Sequence, residues 1–322
     1  MKVLITDNAH PILEQKLQEA GLEVEIDTLC TYESLLSRMG EYDGIVVRSK
    51  IEIDRHFIDN MGDRCKVIGR VGAGMETIDV DYAESKGIRC VNSPEGNRDA
   101  VGEHATSLLL SLFNKITVAN SEVRHGLWQR EANRGIEVKG KTIGIIGFGN
   151  MGAAFAQRLQ GFECNIIAYD RYLPDHTRSN FERMKDFVRQ VSLSELQTRA
   201  DVLSLHVPLT ETTLYMVNRE FIDGFAKPFH LINTARGKCV KTSDLAQAMK
   251  EGKILGAALD VNEYEQMTKD SYDISNLPDD FRYLLDSPNT ILTPHVGGWT
   301  VESKYKLASF LADKIITVLS AQ

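Results

Sequence analysis

Residues 141–170 constrain this chain more than any other stretch, because they read as a strand, a glycine turn, a helix and a second strand ending in an acid. Thr142-Ile143-Gly144-Ile145-Ile146 is a short apolar run rich in β-branched residues, and it enters Gly147-Phe148-Gly149-Asn150-Met151-Gly152, a G-x-G-x-x-G turn. Met151, Ala154, Phe155 and Leu159 follow at helical spacing, Gly161 stops the helix, and residues 165–169 form a second buried-type strand closed by Asp170. Each glycine has a physical task in such a βαβ unit. Gly147 makes the tight turn, Gly149 lets backbone approach a pyrophosphate at the helix N-terminus, and Gly152 lets helix and strand pack closely. A glycine-rich turn of some other α/β protein would explain the glycines alone; the flanking strands and the acid point to a dinucleotide. Asp170, 18 residues beyond Gly152, is placed to accept hydrogen bonds from an adenosine ribose and to repel a 2′-phosphate. NAD is favoured over NADP, although the adjacent Arg171 weakens that discrimination.

At 322 residues, 43% of them hydrophobic, the chain can build one large or two medium domains with real cores. Its 37 basic and 45 acidic side chains give a net charge of −8, so no global field attracts nucleic acid or an anionic membrane, and an anionic substrate must be met by a local basic cluster. Cys30, Cys65, Cys90, Cys164 and Cys239 are scattered and lack C-x-x-C spacing, which indicates neither a disulfide framework nor a metal site. Met1-Lys2 runs directly into a strand too short for a signal sequence, and no apolar stretch approaches membrane-spanning length. A soluble, cytoplasmic protein is expected.

The first hundred residues repeat a βα rhythm. Strands are expected at 3–6, 24–26, 44–47, 67–68 and 89–92, with helices at 11–20 and 32–39. That pattern predicts a small open parallel sheet, with ligands at the carboxyl ends of its strands. Three turns lie at such ends, residues 48–50, 69–74 and 92–98. Asp99 is expected to cap a long helix whose apolar stripe runs from Val101 through Ala105, Leu108, Leu109, Leu112 and Phe113 to Ile116. Residues 121–140 read as irregular. Trp128 there suits an oligomer contact or the cover of its own core. Beyond Asp170, strands are expected at 202–206, 231–234, 256–259 and 290–293, with helices at 193–200 and 243–251, completing a doubly wound sheet. Residues 302–319 read as one amphipathic helix, and residues 264–286 as the longest polar connection.

Three chemical groups follow successive strands of this second half. Arg236 follows one, Asp260 to Glu265 the next, and His295 the last, so a guanidinium, a carboxylate and an imidazole share the rim where a nicotinamide would lie. Hydride transfer to or from a secondary alcohol needs an acid/base near neutral pKa, for which His is suited; a carboxylate behind it fixes the tautomer, and Arg can hold a substrate carboxylate with two prongs. Taken singly, a His after Pro can be structural, an Arg-Gly a plain turn and Glu265 a solvated acid.

Several longer motifs resemble those of the NAD-dependent D-2-hydroxyacid dehydrogenases. They are Asn-Thr-Ala-Arg-Gly at 233–237, Ala-Leu-Asp-Val at 258–261 with Glu265 following, and Leu-Thr-Pro-His-Val-Gly-Gly at 292–298. Val-Val-Arg-Ser at 46–49, Ile-Gly-Arg-Val-Gly-Ala-Gly at 68–74, residues 92–103 and His-Val-Pro-Leu-Thr at 206–210 extend the likeness over nearly the whole chain, leaning to the D-3-phosphoglycerate dehydrogenase branch. The resemblance implies two doubly wound parallel-sheet α/β domains: a flavodoxin-like substrate domain from residues 1–98 and 296–322, and an inserted Rossmann NAD domain, residues 99–295. It implies that Arg236 binds the substrate carboxylate and polarises the 2-oxo group, that His295 exchanges the proton, and that Glu265 pairs with His295. Asn150 and Met151 would meet the pyrophosphate beside Gly147, Gly149 and Gly152. Asp170 would meet the ribose, Val207 the adenosine side, and Thr234 and Asp260 the nicotinamide side. His206, Pro208, Ala235, Gly297 and Gly298 belong to the same cofactor-binding set. Arg48, Ser49, Arg70, Gly72, Ala73, Gly74 and Asn97 would face the substrate. The charges of Arg48 and Arg70, helped by Lys50, suit a phosphate, and equally suit plain surface charges on two loops.

Three departures stand against that pattern. Gln266 follows Glu265 where many relatives have Pro, Trp299 replaces a usually small residue, and the 264–286 connection is long. The sequence ends where many phosphoglycerate dehydrogenases continue into a serine-binding domain, so feedback through such a domain is not expected. The leading expectation is NAD-linked interconversion of 3-phospho-D-glycerate and its 2-oxo acid, in serine biosynthesis, by a homodimer or homotetramer with no nucleic-acid or membrane partner. A glyoxylate or hydroxypyruvate reductase is the alternative within the same chemistry, and an NAD-sensing, corepressor-like binding protein the alternative outside it.

Overall fold

The computed structural model describes residues 1–265 and 274–321. Residues 266–273 of the 264–286 connection, Gln266 among them, lie outside the described residues. Two compact units emerge, Met1–Asp99 with Trp299–Gln322, and Ala100–Gly298.

The first unit contains β1 (Lys2–Ile5), α1 (Ile12–Glu19), β2 (Glu23–Ile26), α2 (Tyr32–Leu36), β3 (Gly44–Val47), α3 (Arg55–Asp59), β4 (Val67–Arg70), α4 (Val80–Ser85) and β5 (Arg89–Asn92). The strands pair in parallel in the order β2-β1-β3-β4-β5, a flavodoxin-like sheet. β3 reads Gly-Ile-Val-Val and is buried along its whole length, since helices cover both faces of a parallel sheet. The strand period of two sorts its side chains: Ile45 and Val47 join Leu35, Met39 and Phe57 on one face, while Val46 joins Val3, Leu13 and Leu17 on the other.

The second unit contains α5 (Arg98–Phe113, whose first two residues still belong to the first unit), α6 (Ile116–Arg124), β6 (Thr142–Ile146), α7 (Asn150–Leu159), β7 (Asn165–Tyr169), α8 (Asp175–Met184), β8 (Val188–Gln190), α9 (Leu193–Arg199) and β9 (Val202–Leu205). It continues with α10 (Arg219–Asp223), β10 (Phe229–Asn233), α11 (Thr242–Lys250), β11 (Ile254–Leu259), α12 (Asp279–Asp286) and β12 (Thr290–Leu292). Its parallel sheet runs β12-β11-β10-β9-β6-β7-β8, so the strand order reverses between β6 and β9. That is a doubly wound Rossmann arrangement, and ligands belong at the carboxyl ends beside the reversal. α13 (Val301–Ser320) then returns to the first unit, where Thr300 and Ser303 form a capping box at its start and Leu311, Ala312 and Ile315 pack on the sheet.

Several boundaries differ from the sequence expectation. Asp99 does not cap α5; it lies in the first turn, and its carboxylate pairs with Lys306 of α13 at 3.2 Å. The apolar stripe is broken after Phe113, because Lys115 adopts a left-handed conformation (φ 51°), and Ile116 opens a separate helix. The stretch expected to be irregular therefore begins in α6, and the polar connection contains α12. The units divide at 99/100 and 298/299 rather than at 98/99 and 295/296. The second shift has a local cause: the amides of Val296 and Gly297 are bound by Asp260, which ties the whole turn to the nucleotide unit. Short α3, α4, α10 and β8 carry too little periodicity to be read in advance, and α8 is a further helix that the sequence reading did not place.

Candidate active site and nucleotide cradle

The glycine turn is built as its residue types require. Gly147 has φ 89°, and a Cβ there would lie 2.4 Å from the carbonyl oxygen of His206; one on Gly152 would lie 2.0 Å from that of Gly147. At Gly149, by contrast, such a Cβ would meet nothing nearer than His176 at 3.8 Å, so the backbone at the start of α7 stands open to a ligand, and no side chain caps that helix. The turn is held from behind by Asn180, whose Nδ2 donates to the carbonyls of Phe148 and Gly149. Asp170 accepts from the amide of Phe148 at 2.7 Å and from that of Tyr172 at 3.0 Å. Its carboxylate thus fixes the turn as well as closing β7. Open first-turn amides at Asn150 and Met151 and an acid at the end of the second strand fit the diphosphate and ribose of a dinucleotide.

His206 follows β9. Its Nε2 lies 2.9 Å from Ser204 Oγ, its Nδ1 is sealed from solvent, and burial pushes its pKa down to about 3, so the ring is neutral. Val207 contacts the position a Gly147 Cβ would occupy, so the 206–208 backbone lies beside the glycine turn. Thr234 Oγ1 is buried without a hydrogen-bond partner, a polar atom suited to a bound group at the carboxyl end of β10.

Adjacent strands β10, β11 and β12 deliver the reactive residues. After β10, buried Asn233 receives the amide of Ala235 on its Oδ1 and donates to the carbonyl of Arg236, which folds residues 233–236 into a compact loop. Arg236 is half-buried, and its Nη1 donates to its neighbour's carbonyl at 2.7 Å. Gly237 is obligatory, because a Cβ would fall 1.9 Å from the carbonyl oxygen of Asn262 in the loop after β11. That second loop brings Glu265 to His295: Nδ1 lies 3.3 Å from Glu265 Oε2, with the two side chains 30% and 21% exposed. The approach is off the line of a hydrogen bond, and Nδ1 has no aligned partner. It is an ion-pair distance of the kind that tightens when substrate binds.

Asp260 is the structural centre of the loop bearing His295. It is 2% exposed; Oδ1 accepts from Thr293 Oγ1 at 2.6 Å and the Val296 amide at 2.9 Å, and Oδ2 accepts from the Gly297 amide at 2.8 Å. His104 Nε2 lies 3.2 Å from Oδ1. Burial raises the pKa of this carboxyl, but the bonds from His104, Thr293 and the two amides outweigh it and hold the group below its usual value. Its own carbonyl takes the His295 amide at 2.8 Å. Expected at the nicotinamide side, the Asp260 carboxylate is thus occupied by donors from the protein itself.

In the first unit, β3, β4 and β5 are adjacent, so the turns after them share one edge. Arg70 Nε donates to the carbonyl of Arg48 at 3.1 Å, and its guanidinium lies over Gly72, where a Cβ would be 1.8 Å from Nη1. Asn92 donates to the carbonyl of Ala73, fixing the 72–74 loop, and Asn97 Oδ1 is buried without a partner. The Arg48 guanidinium stacks on the ring of Trp299, 4.7 Å from its centroid, while Trp299 remains 68% exposed. Ser49 is exposed, and Lys50 donates to the carbonyl of Thr28 rather than standing beside the arginines.

Sequence reasoning passed over Asn233, Asn180 and His104. The last had a legible signal: with Val101, Ala105 and Leu108 buried at helical spacing, position 104 falls on the apolar face of α5.

The model of the D-isomer specific 2-hydroxyacid dehydrogenase NAD-binding domain matches residues 106–297. The chain is 37% identical over its whole length to a D-3-phosphoglycerate dehydrogenase of Methanocaldococcus jannaschii, of which it spans 58%. It is 35% identical to a hydroxypyruvate reductase of Thermotoga maritima, over 89% of this chain and 88% of that one. A glyoxylate reductase structure from Paecilomyes thermophila superposes with a TM-score of 0.84 at 25% identity, covering 99% of this chain and 95% of the other. The chain spans little more than half the length of the phosphoglycerate dehydrogenase it matches, so the likeness concerns this part of that protein. Together with the glycine turn and the Arg236, Glu265 and His295 loops, these matches show that the chain belongs to the D-isomer specific 2-hydroxyacid dehydrogenase family and that residues 106–297 are its NAD-binding domain.

Proposed function

We propose that the protein interconverts a D-2-hydroxy acid and its 2-oxo acid with NAD, and that the pair is 3-phospho-D-glycerate and 3-phosphohydroxypyruvate. The observation that carries the chemistry is the His295–Glu265 pair at 3.3 Å on strand ends of the NAD-binding domain. NADH, when bound in the nucleotide cradle, would supply the hydride that C2 of the substrate receives. His295 gives a proton to the 2-oxo oxygen as that oxygen gains charge, so one C–H and one O–H bond form and the C=O π bond is lost. Glu265 stabilises the protonated imidazole before transfer and restores its orientation afterwards. Arg236 holds the carboxylate and orients the carbonyl. Asp170 makes NAD the preferred nucleotide. A binding protein that merely sensed NAD would need none of the His295, Glu265 and Arg236 set.

Arg48 and Arg70 support the phosphorylated substrate: both guanidinium groups are fixed by neighbours, one on an indole and one on a glycine, and so lose little freedom on meeting an anion. The second reading, a hydroxypyruvate reductase, is favoured by the similarity to the Thermotoga maritima enzyme over 88% of that protein's length. Oxidation of NADH with phosphohydroxypyruvate, hydroxypyruvate and glyoxylate decides between them. Replacing Arg48 and Arg70 together by Gln is expected to cost several kcal/mol toward phosphohydroxypyruvate, about two charge-assisted contacts, and almost nothing toward hydroxypyruvate. Equal losses would make the arginines structural, and activity confined to unphosphorylated acids would assign the protein as a reductase. The working molecule is proposed to be a homodimer, for which the exposed Trp128 is the leading contact.

A further inference from the structure

We propose that His104 is a positioning residue for His295, acting through Asp260; the proposal rests on the dehydrogenase reading of the site. His104 lies on the packed face of α5 and its side chain is 21% exposed. Nε2 lies 3.1 Å from Thr293 Oγ1 and 3.2 Å from Asp260 Oδ1, and Thr293 donates its own hydroxyl to that same oxygen. A carboxylate only accepts, so Nε2 carries the proton; it hydrogen-bonds Thr293 Oγ1 and stands within ion-pair distance of Asp260 Oδ1. The ring also fills space against the turn, its Cδ2 standing 3.2 Å from where a Gly297 Cβ would be.

Asp260 grips the segment from Thr293 to Gly297 at both ends of its own residue. The carboxylate binds Thr293, Val296 and Gly297, and the carbonyl binds the amide of His295. The grip is needed because His295 has φ 55°, a left-handed conformation that costs a residue with a Cβ about 1–2 kcal/mol and persists only where its surroundings over-determine it. His104 is the donor from a different element: Thr293, Val296 and Gly297 belong to the turn itself, whereas His104 braces it against α5. Without that brace Asp260 can move with the turn, and His295 loses its fixed relation to Glu265.

The test compares His104→Leu, which suits the apolar face of α5 but cannot donate, with His104→Gln, whose amide can. Misplacement of a reacting group by about 1 Å can cost 10²-fold in rate. His104→Leu is accordingly expected to lower kcat about 10- to 100-fold with NADH affinity unchanged, and His104→Gln to recover most of it. Amide hydrogen exchange at Val296 and Gly297 should accelerate in the leucine variant and return toward wild type in the glutamine variant. His104→Ala serves as the non-donating variant if leucine does not fold. Wild-type kcat in the non-donating variant, or a loss of kcat with unchanged exchange at these amides, overturns the proposal. If the wild-type protein reduces no 2-oxo acid, the dehydrogenase reading fails on its own, and the exchange measurement alone decides whether His104 holds the turn.

Discussion

A left-handed histidine is the most informative residue in the chain, because a backbone conformation that its side chain disfavours is maintained where an acid/base must be aimed. The same residue-level economy places Gly237, which lets the Arg236 loop pass against Asn262, and Asn233, which folds that loop. His295 and Arg236 should therefore fail differently. His295→Ala removes the proton donor, and kcat is expected to fall by about two to four decades with NADH binding largely intact. Arg236→Ala removes carboxylate anchoring, so KM for the 2-oxo acid should rise as kcat falls. Steady-state kinetics beside a fluorescence titration of NADH separate the two, and wild-type turnover in either variant would remove that residue from the mechanism.

At the scale of elements, β9 and β10 sit side by side and each carries a half-buried histidine at or beside its end, His206 and His230. Burial pushes their pKa values down to about 3 and about 4, with Lys141 also contributing at His230. An unfolded histidine titrates near 6.5. The stability each contributes is therefore complete above about pH 6.5 and is lost as pH falls toward 4 and then 3, because the unfolded chain binds protons that the folded one refuses. The slope is at most about 1.4 kcal/mol per pH unit for each ring. Denaturant unfolding at pH 7, 6 and 5 should show declining stability, and His230→Gln should remove roughly half of that slope; an unchanged slope would assign the acid lability to other groups. The same scale separates what was legible in the sequence from what was not. β6, α7 and β7 were legible because a β-branched run, a glycine turn and a helical stripe all agree there. The break at Lys115 was not, because the apolar spacing runs on through Ile116 while the backbone turns. Nor was the occupation of Asp260, since its donors come from positions 104, 293, 296 and 297, which no local pattern connects. The Arg236, Glu265 and His295 loops were legible as strand-end groups, but their distances depend on which strands are neighbours.

For the whole molecule, the open question of composition is how a protein of net charge −8 presents apolar surface. Residues 116–136 are ordered by their own bonds: Ile136 donates its amide to the carbonyl of Phe113, Lys115 reaches the carbonyl of Ala132, and Asn133 pairs with Glu122. Yet α6 buries none of its residues, and Ile116, Val123, Leu127 and Ile136 are exposed together with Trp128, which is 78% exposed. The alternative in which Trp128 covers its own core is not met. We propose this ordered apolar segment as an interaction site, with a second copy of the chain as its occupant. Two copies of like charge repel at long range, so their contact must draw on apolar burial, and a large aromatic at its centre is the side chain on which such contacts depend most. Trp128→Glu places a charge where that ring would be desolvated. Light scattering on the eluted protein should then give a single chain of 36.0 kDa in place of a larger wild-type assembly, with the fold intact by circular dichroism. A wild-type mass already at one chain, or an assembly indifferent to the glutamate, would leave this apolar segment without the role argued for it.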